Sequence, residues 1–247
     1  MNKSAVALVS PSADQLAAFV AGQWLDQVAV TQKKGSPHTV ALSGGRITTK
    51  FFAAVTAQNL KRGISFEHVH FFWADERCVP ATDPESNFRM AAEFLFNPLK
   101  ISEGQIHRLK GELDPATAAR EASAELLAAA PANPAGQPVL DLVFLGMGED
   151  GHVASLFPGA GAEVLNCTTP FLAIHNSPKP PPTRLSLSYA ALAAAKNIVV
   201  LASGAGKEAA LQNSLAPGGL TPLGRVIAAN SNTKIFTDLK LPAGLSN

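Results

Sequence analysis

The stretch richest in chemically capable groups is Gly146-Met147-Gly148-Glu149-Asp150-Gly151-His152, which follows the apolar run 139–145. A glycine between Asp150 and His152 allows a sharp bend that brings both side chains to one side. A carboxylate beside an imidazole fixes its tautomer and stabilises the cation formed when the ring takes a proton, which is the logic of a general base and its orienting partner. If residues 153–157 begin a helix, its positive end lowers the pKa of His152 and keeps the ring neutral and base-competent. The bland alternative is Asp150 as a helix N-cap beside a structural histidine. The position at the end of a buried strand, facing other polar loops, favours the base.

A second group of residues is suited to anions. Ser43-Gly44-Gly45 lies between a strand-like run, 38–42, and a helix-like one, 48–60. Two glycines let the backbone approach a ligand closely, and free N–H groups at a helix start bind an oxyanion such as phosphate. An ordinary strand-to-helix turn would look similar, but Arg46 and a matching Lys207 tip the reading towards phosphate. Lys207 ends Ser203-Gly204-Ala205-Gly206-Lys207, which follows the run 198–202 and falls short of a P-loop. Leu201 stands where the first glycine belongs, and Glu208 where a hydroxyl would hold magnesium. A nucleoside triphosphate is therefore not expected, and Lys207 is better suited to meeting one phosphate as a point charge.

Gly146-x-Gly148-x-x-Gly151 has the dinucleotide-binding spacing, but Glu149 and Asp150 would face the pyrophosphate. No acidic residue ends a strand about 20 residues on, so NAD is not expected. His68 and His70, two apart in a strand and expected on one side of the sheet, have no third ligand nearby in sequence. Asp83, His107 and His175 join no constellation, and GxSxG and HExxH are both absent. No metal or cofactor is expected.

These groups need a scaffold, and the hydrophobic pattern supplies one. Strand-length apolar runs at 38–42, 69–73, 139–145 and 198–202 alternate with helical segments at 12–30, 48–60, 87–96 and 116–130, and Ser12 is placed to cap the first. Short late strands are expected at 226–229 and 234–236. The pattern is that of an α/β fold with a mostly parallel central sheet covered by helices. Each of the four strong strands ends in glycine, charge or histidine, the second in Asp75-Glu76-Arg77. Ligands of open α/β sheets sit outside the carboxyl ends of the strands, so these loops should converge on one site.

Bulk properties agree. A chain of 247 residues can bury a large core, and one domain over 1–247 is expected. The 20 Lys and Arg nearly balance the 19 Asp and Glu, so no broad attraction to nucleic acid or anionic membrane is expected, and an anion must be held by a few placed groups. Cys78 and Cys167 have no framework spacing, which points to a reducing compartment. The apolar run 5–9 is too short for a signal-peptide core, and no run approaches the ~20 residues that span a bilayer. A cytoplasmic location is expected.

Taken together, Leu42-Ser43-Gly44-Gly45, Trp73-Ala74-Asp75-Glu76-Arg77-Cys78-Val79-Pro80 with Ser86-Asn87, and the long block from Leu145 to Gly159 resemble the 6-phosphogluconolactonase family. Pro180-Pro181-Pro182-Thr183-Arg184-Leu185-Ser186-Leu187-Ser188 and Gly206-Lys207 extend the match. The resemblance implies a Rossmann-like three-layer sandwich shared with glucosamine-6-phosphate deaminase. It also implies hydrolysis of a phosphorylated sugar lactone, 6-phosphoglucono-δ-lactone, to 6-phosphogluconate in the oxidative pentose phosphate pathway. It puts the catalytic histidine at His152 and its partner at Asp150, with substrate contacts at Ser43, Gly44, Gly45, Asp75, Arg77, Asn87, Arg184 and Lys207. Arg46 is a departure, because many relatives carry Ser or Thr there, and it either joins the phosphate shell or points away. The oxyanion would be met by backbone N–H groups or by Arg77. The competing readings are a sugar-phosphate isomerase or deaminase of the same fold and a non-catalytic sugar-phosphate sensor. Deaminase relatives carry a glutamate seven residues after the loop aspartate, where this chain has Phe157.

Overall fold

The computed structural model describes residues 7–241. Strands β1 (Ala7–Val9), β2 (His38–Leu42), β3 (Val69–Trp73), β5 (Leu142–Gly146), β8 (Ile198–Ala202) and β9 (Thr233–Thr237) form one parallel sheet in the order β1-β9-β8-β5-β2-β3. All five residues of β2 are buried, as a strand covered on both faces requires. The helices are α1 (Ala13–Lys34), α2 (Arg46–Arg62), α3 (Asn87–Ala91), α4 (Asn97–Leu99), α5 (Pro115–Ala129), α6 (Ala162–Leu165), α7 (Tyr189–Ala194), α8 (Glu208–Leu215) and α9 (Pro222–Ala229). A π-helical turn, Ala92–Phe96, links α3 to α4.

In α1 the buried positions Leu16, Val20, Trp24 and Val28 recur every four residues, a stripe that lies against the sheet. Trp24 meets Phe144 of β5 at 5.2 Å and Phe51 of α2 at 5.7 Å between ring centroids. Each such ring contributes about 1.5–3 kcal/mol through burial. Ser12 caps α1 by accepting from the Gln15 N–H, and Gly35 closes it in the left-handed region. Of the run 5–9, Ala7–Val9 is β1, while Ala5 and Val6 lie outside the described residues. No described helix is long and apolar enough to cross a membrane.

The expected late strand at 226–229 is instead the end of α9. Thr221 caps that helix by accepting from Gly224 N–H, and Pro222 occupies its first position, a start signal that outweighs the β-branched pair Val226-Ile227. A second sheet also forms, which the sequence reading did not foresee: β4 (Asp75–Arg77), β7 (Arg184–Leu187) and β6 (Phe171–Ile174), antiparallel in the order β4-β7-β6. The chain changes sheets at Ala74, whose N–H donates to Leu42 in the main sheet and whose carbonyl accepts from Leu187 in the second. The second sheet therefore reaches Asp75 and Arg184 over the carboxyl edge of the first.

Glu76 locks this corner. It is 2% exposed and accepts from the backbone N–H groups of Arg77, Asn87 and Phe88 at 2.7–2.8 Å and from Ser86 Oγ at 3.1 Å. Burial pushes its pKa up, and these hydrogen bonds oppose the shift. Two of the donors are free N–H groups at the start of α3, which would otherwise be orphaned. Glu76→Gln replaces one acceptor by a donor facing donors, so stability should fall by about 1–3 kcal/mol. A lower urea midpoint with an unchanged m-value would show it; an unchanged midpoint would place the anchorage elsewhere.

Candidate active site

The chain leaves β2 towards β3 and leaves β5 in the opposite direction, towards β8, so β2 and β5 flank the switch point of the sheet. A cleft of about 270 Å³ opens at their carboxyl ends. All four expected loops reach it, contributing Ser43 to Arg46, Asp75 and Arg77, Gly146 to Glu149 with His152, and Ser203 with Lys207. Arg184 enters from the second sheet.

Ser43 ties the two central strands together by donating from Oγ to the Phe144 carbonyl at 2.9 Å. Gly44 has no room for a side chain, because a Cβ there would sit 1.8 Å from Asn87 Oδ1. Asn87 in turn donates to the Asp75 carbonyl at 2.9 Å. Asn87, expected among the substrate contacts, thus stands behind the loop and fixes it. Gly45 precedes α2 at φ 104, a conformation that glycine adopts readily.

On the opposite side, the Gly148–His152 loop closes through Gly148 N–H to the His152 carbonyl at 2.9 Å and Gly151 N–H to the Gly148 carbonyl at 3.1 Å. The imidazole folds back over Gly148, where a Cβ would lie 2.0 Å from Nδ1. Nδ1 meets Asp150 Oδ1 at 2.5 Å, and the backbone N–H of His152 reaches the same oxygen at 3.2 Å. With Nδ1–H committed to Asp150, Nε2 carries the free lone pair. Burial holds the His152 pKa below its ordinary value, against the raising effect of Asp150. Burial alone would raise the Asp150 pKa, but the hydrogen bond and charge of His152 keep it below the ordinary carboxylate range.

The helix expected at 153–157 does not form. Ser155 N–H goes to Ser186 Oγ and Ser155 Oγ to Asp75 Oδ2 at 2.8 Å, so the segment is tied to the second sheet as a tight turn, with Ala154 at φ 49. Desolvation, with no helix dipole, therefore depresses the histidine pKa.

Around this pair stand cations. Arg46, Lys179, Arg184 and Lys207 all line the cleft, and none is ion-paired among the described residues. The Lys207 pKa is lowered by burial and by Arg46, and Glu149 opposes the shift. Arg77 is more committed, donating to the Glu85 carbonyl at 2.8 Å and its carboxylate at 3.3 Å. Sequence reasoning missed Lys179; a lysine fixed between prolines just ahead of Arg184 was the available signal.

His107, expected to join no constellation, and His70, expected beside His68 on one side of a strand, meet each other instead. His70 Nδ1 meets His107 Nε2 at 3.0 Å, and His107 Nδ1 meets Glu125 at 2.7 Å, while His68 lies outside β3 in a turn. No group of three or more described His, Cys, Asp or Glu residues could hold a metal ion.

An oriented imidazole and cations without ion-pair partners line one cleft at the switch point of a parallel sheet in an α/β protein. Residues 11–235 match the family described as glucosamine-6-phosphate isomerases/6-phosphogluconolactonase, and the chain belongs to that family. It is similar to a 6-phosphogluconolactonase of Mycobacterium tuberculosis, 34% identical over 224 residues and 87% of each chain. It is also similar to the solved 6-phosphogluconolactonase of Trypanosoma brucei, at TM-score 0.81 and 27% identity over 96% of each chain. A monomeric glucosamine-6-phosphate deaminase shares the fold at TM-score 0.77 and 16% identity, covering 94% of this chain and 96% of its own.

The charge of Asp150 raises the His152 pKa, so Asp150→Asn should make the imidazole, already below 6.5, titrate at a still lower pH. NMR titration of the ring protons measures this, and an upward shift would mean the two groups are not coupled as described.

Proposed function

We propose that the protein hydrolyses 6-phosphoglucono-δ-lactone to 6-phosphogluconate, with His152 as general base. The observation that carries this reading is that one cleft is lined both by His152, oriented through Nδ1 by Asp150, and by Arg46, Lys179 and Lys207, cations from separate segments with no ion-pair partner among the described residues. The similarity to curated lactonases over most of the chain supports it. Phe157, where deaminase relatives carry a glutamate, supports the lactonase over the deaminase reading. Its ring packs 4.6 Å from His152, so an apolar side chain stands at that position.

In this mechanism the Nε2 lone pair takes a proton from water as the water oxygen bonds to the lactone carbonyl carbon. The carbonyl π pair moves to oxygen as an alkoxide. When the alkoxide collapses, the bond to the ring oxygen breaks, and that oxygen receives the proton from the imidazolium. Asp150 holds the ring and stabilises its charged form. The Ser43–Gly45 loop, Arg46 and Lys207 hold the phosphate, while Asp75, Arg77 and Arg184 line the sugar. Two free cysteines, Cys78 and Cys167, accord with a reducing compartment such as the cytoplasm.

The test is lactone hydrolysis by the purified chain, corrected for the spontaneous reaction; no acceleration would sink the reading. His152→Ala should lower kcat by about 10²–10⁴ and move substrate affinity only a few-fold. Lys207→Ala should raise KM about 10- to 100-fold, since a charge-assisted hydrogen bond is worth ~1.5–3 kcal/mol, and the effect should shrink on gluconolactone lacking the phosphate. A comparable rise for Arg46→Ala would put that arginine in the phosphate shell; no change would leave the anion to the Gly44 and Gly45 amides.

A further inference from the structure

Lys179 has no role in the scheme so far, yet it is unusually well fixed for a lysine on a loop. It is half-buried and lines the cleft. Its N–H donates to Ser177 Oγ at 3.3 Å, and its carbonyl accepts from the same hydroxyl at 2.8 Å. Arg184 completes the clamp. The guanidinium donates from Nη2 to the carbonyls of Lys179 at 3.1 Å and Pro180 at 2.9 Å, and from Nε to that of Pro181 at 3.1 Å. The same guanidinium lies 5.6 Å from the centre of the Phe157 ring, and that ring packs on His152. Loop, arginine, phenylalanine and base are thus one packed unit, and the lysine side chain is its unpaired charge.

We infer that Lys179 supplies the cation for the oxyanion that develops at the lactone carbonyl, and that Arg184 is a positioning residue that holds the Lys179 loop against the base. The inference rests on the lactonase reading. Arg77, the obvious alternative, is occupied by Glu85. Arg46 and Lys207 belong to the Gly44 and Gly204 loops at the anion side. Lys179, by contrast, lines the cleft from the loop that Arg184 clamps, and Arg184 lies over the Phe157 ring that packs on His152. The ammonium would donate to the alkoxide as the π pair arrives there, and release it when the ring oxygen leaves. Preorganised donors of this kind act where charge develops and little in the ground state.

The groups acting on His152 are Asp150 and Asp75, which raise its pKa, and Lys179, which lowers it alongside burial. Removing the lysine charge should therefore move the acid limb of the pH–rate profile upward, because the base must be neutral to work. The experiment compares Lys179→Met and Lys179→Arg with wild type on phosphorylated and unphosphorylated lactone, with thermal melts to confirm folding. Lys179→Met should lower kcat about 10- to 100-fold on both substrates, leave KM within a few-fold and shift the acid limb upward. Lys179→Arg should recover most of the rate and restore the limb. An unchanged kcat on both substrates would overturn the inference. So would a loss confined to KM for the phosphorylated lactone, which would put Lys179 in the phosphate shell. Absence of activity in the wild type would instead remove the lactonase reading itself.

Discussion

Strands β2 and β5 lie side by side, but the chain leaves them in opposite directions along the sheet. No connection fills the gap at their carboxyl ends, so backbone N–H groups, glycines and polar side chains are left facing a common space. The rest of the molecule is arranged around that vacancy. Ser43 bridges its two walls through the Phe144 carbonyl, Gly44 lets Asn87 press against one wall, and Gly148 lets the imidazole fold over the other. The second sheet, leaving the first at Ala74, brings Asp75 and Arg184 over the opening.

Electrostatics then sets the character of the opening. The chain as a whole is almost neutral, so its attraction for anions is local. Burial, and then the charge of Arg46, depresses the Lys207 pKa, while Glu149 opposes the shift. In the same cleft, burial holds the His152 pKa below its ordinary value while Asp150 orients the ring. Desolvation and the carboxylate act in opposite directions on the same ring, and burial is the larger of the two.

Much of this was legible in the residues. β2, β3 and β8 are mostly apolar runs of strand length followed by glycine- or charge-bearing loops, and their bounds, His38–Leu42, Val69–Trp73 and Ile198–Ala202, coincide with the expected ones. The convergence of Ser43–Arg46, Asp75, Arg77, His152 and Lys207 followed from the strand-end rule alone. What the pattern hid was long-range. β4, β6 and β7 have three or four residues each, too few to show a period, so the second sheet and the clamp it builds on Lys179 were invisible. The turn at Ser155 looked helical because its partners, Asp75 and Ser186, are remote in sequence. His107 seemed isolated because His70 lies 37 positions away. Asn87 was expected against substrate, and it stands one layer back.

The central claim is that one switch-point crevice holds the phosphate and the reacting carbon at opposite ends. A crystal structure with 6-phosphogluconate bound tests it most directly. The phosphate should lie against the Gly44 and Gly45 N–H groups and Lys207, with the C1 carboxylate within hydrogen-bond reach of His152 Nε2. A phosphate bound at His152, or a product bound outside this crevice, would contradict the claim.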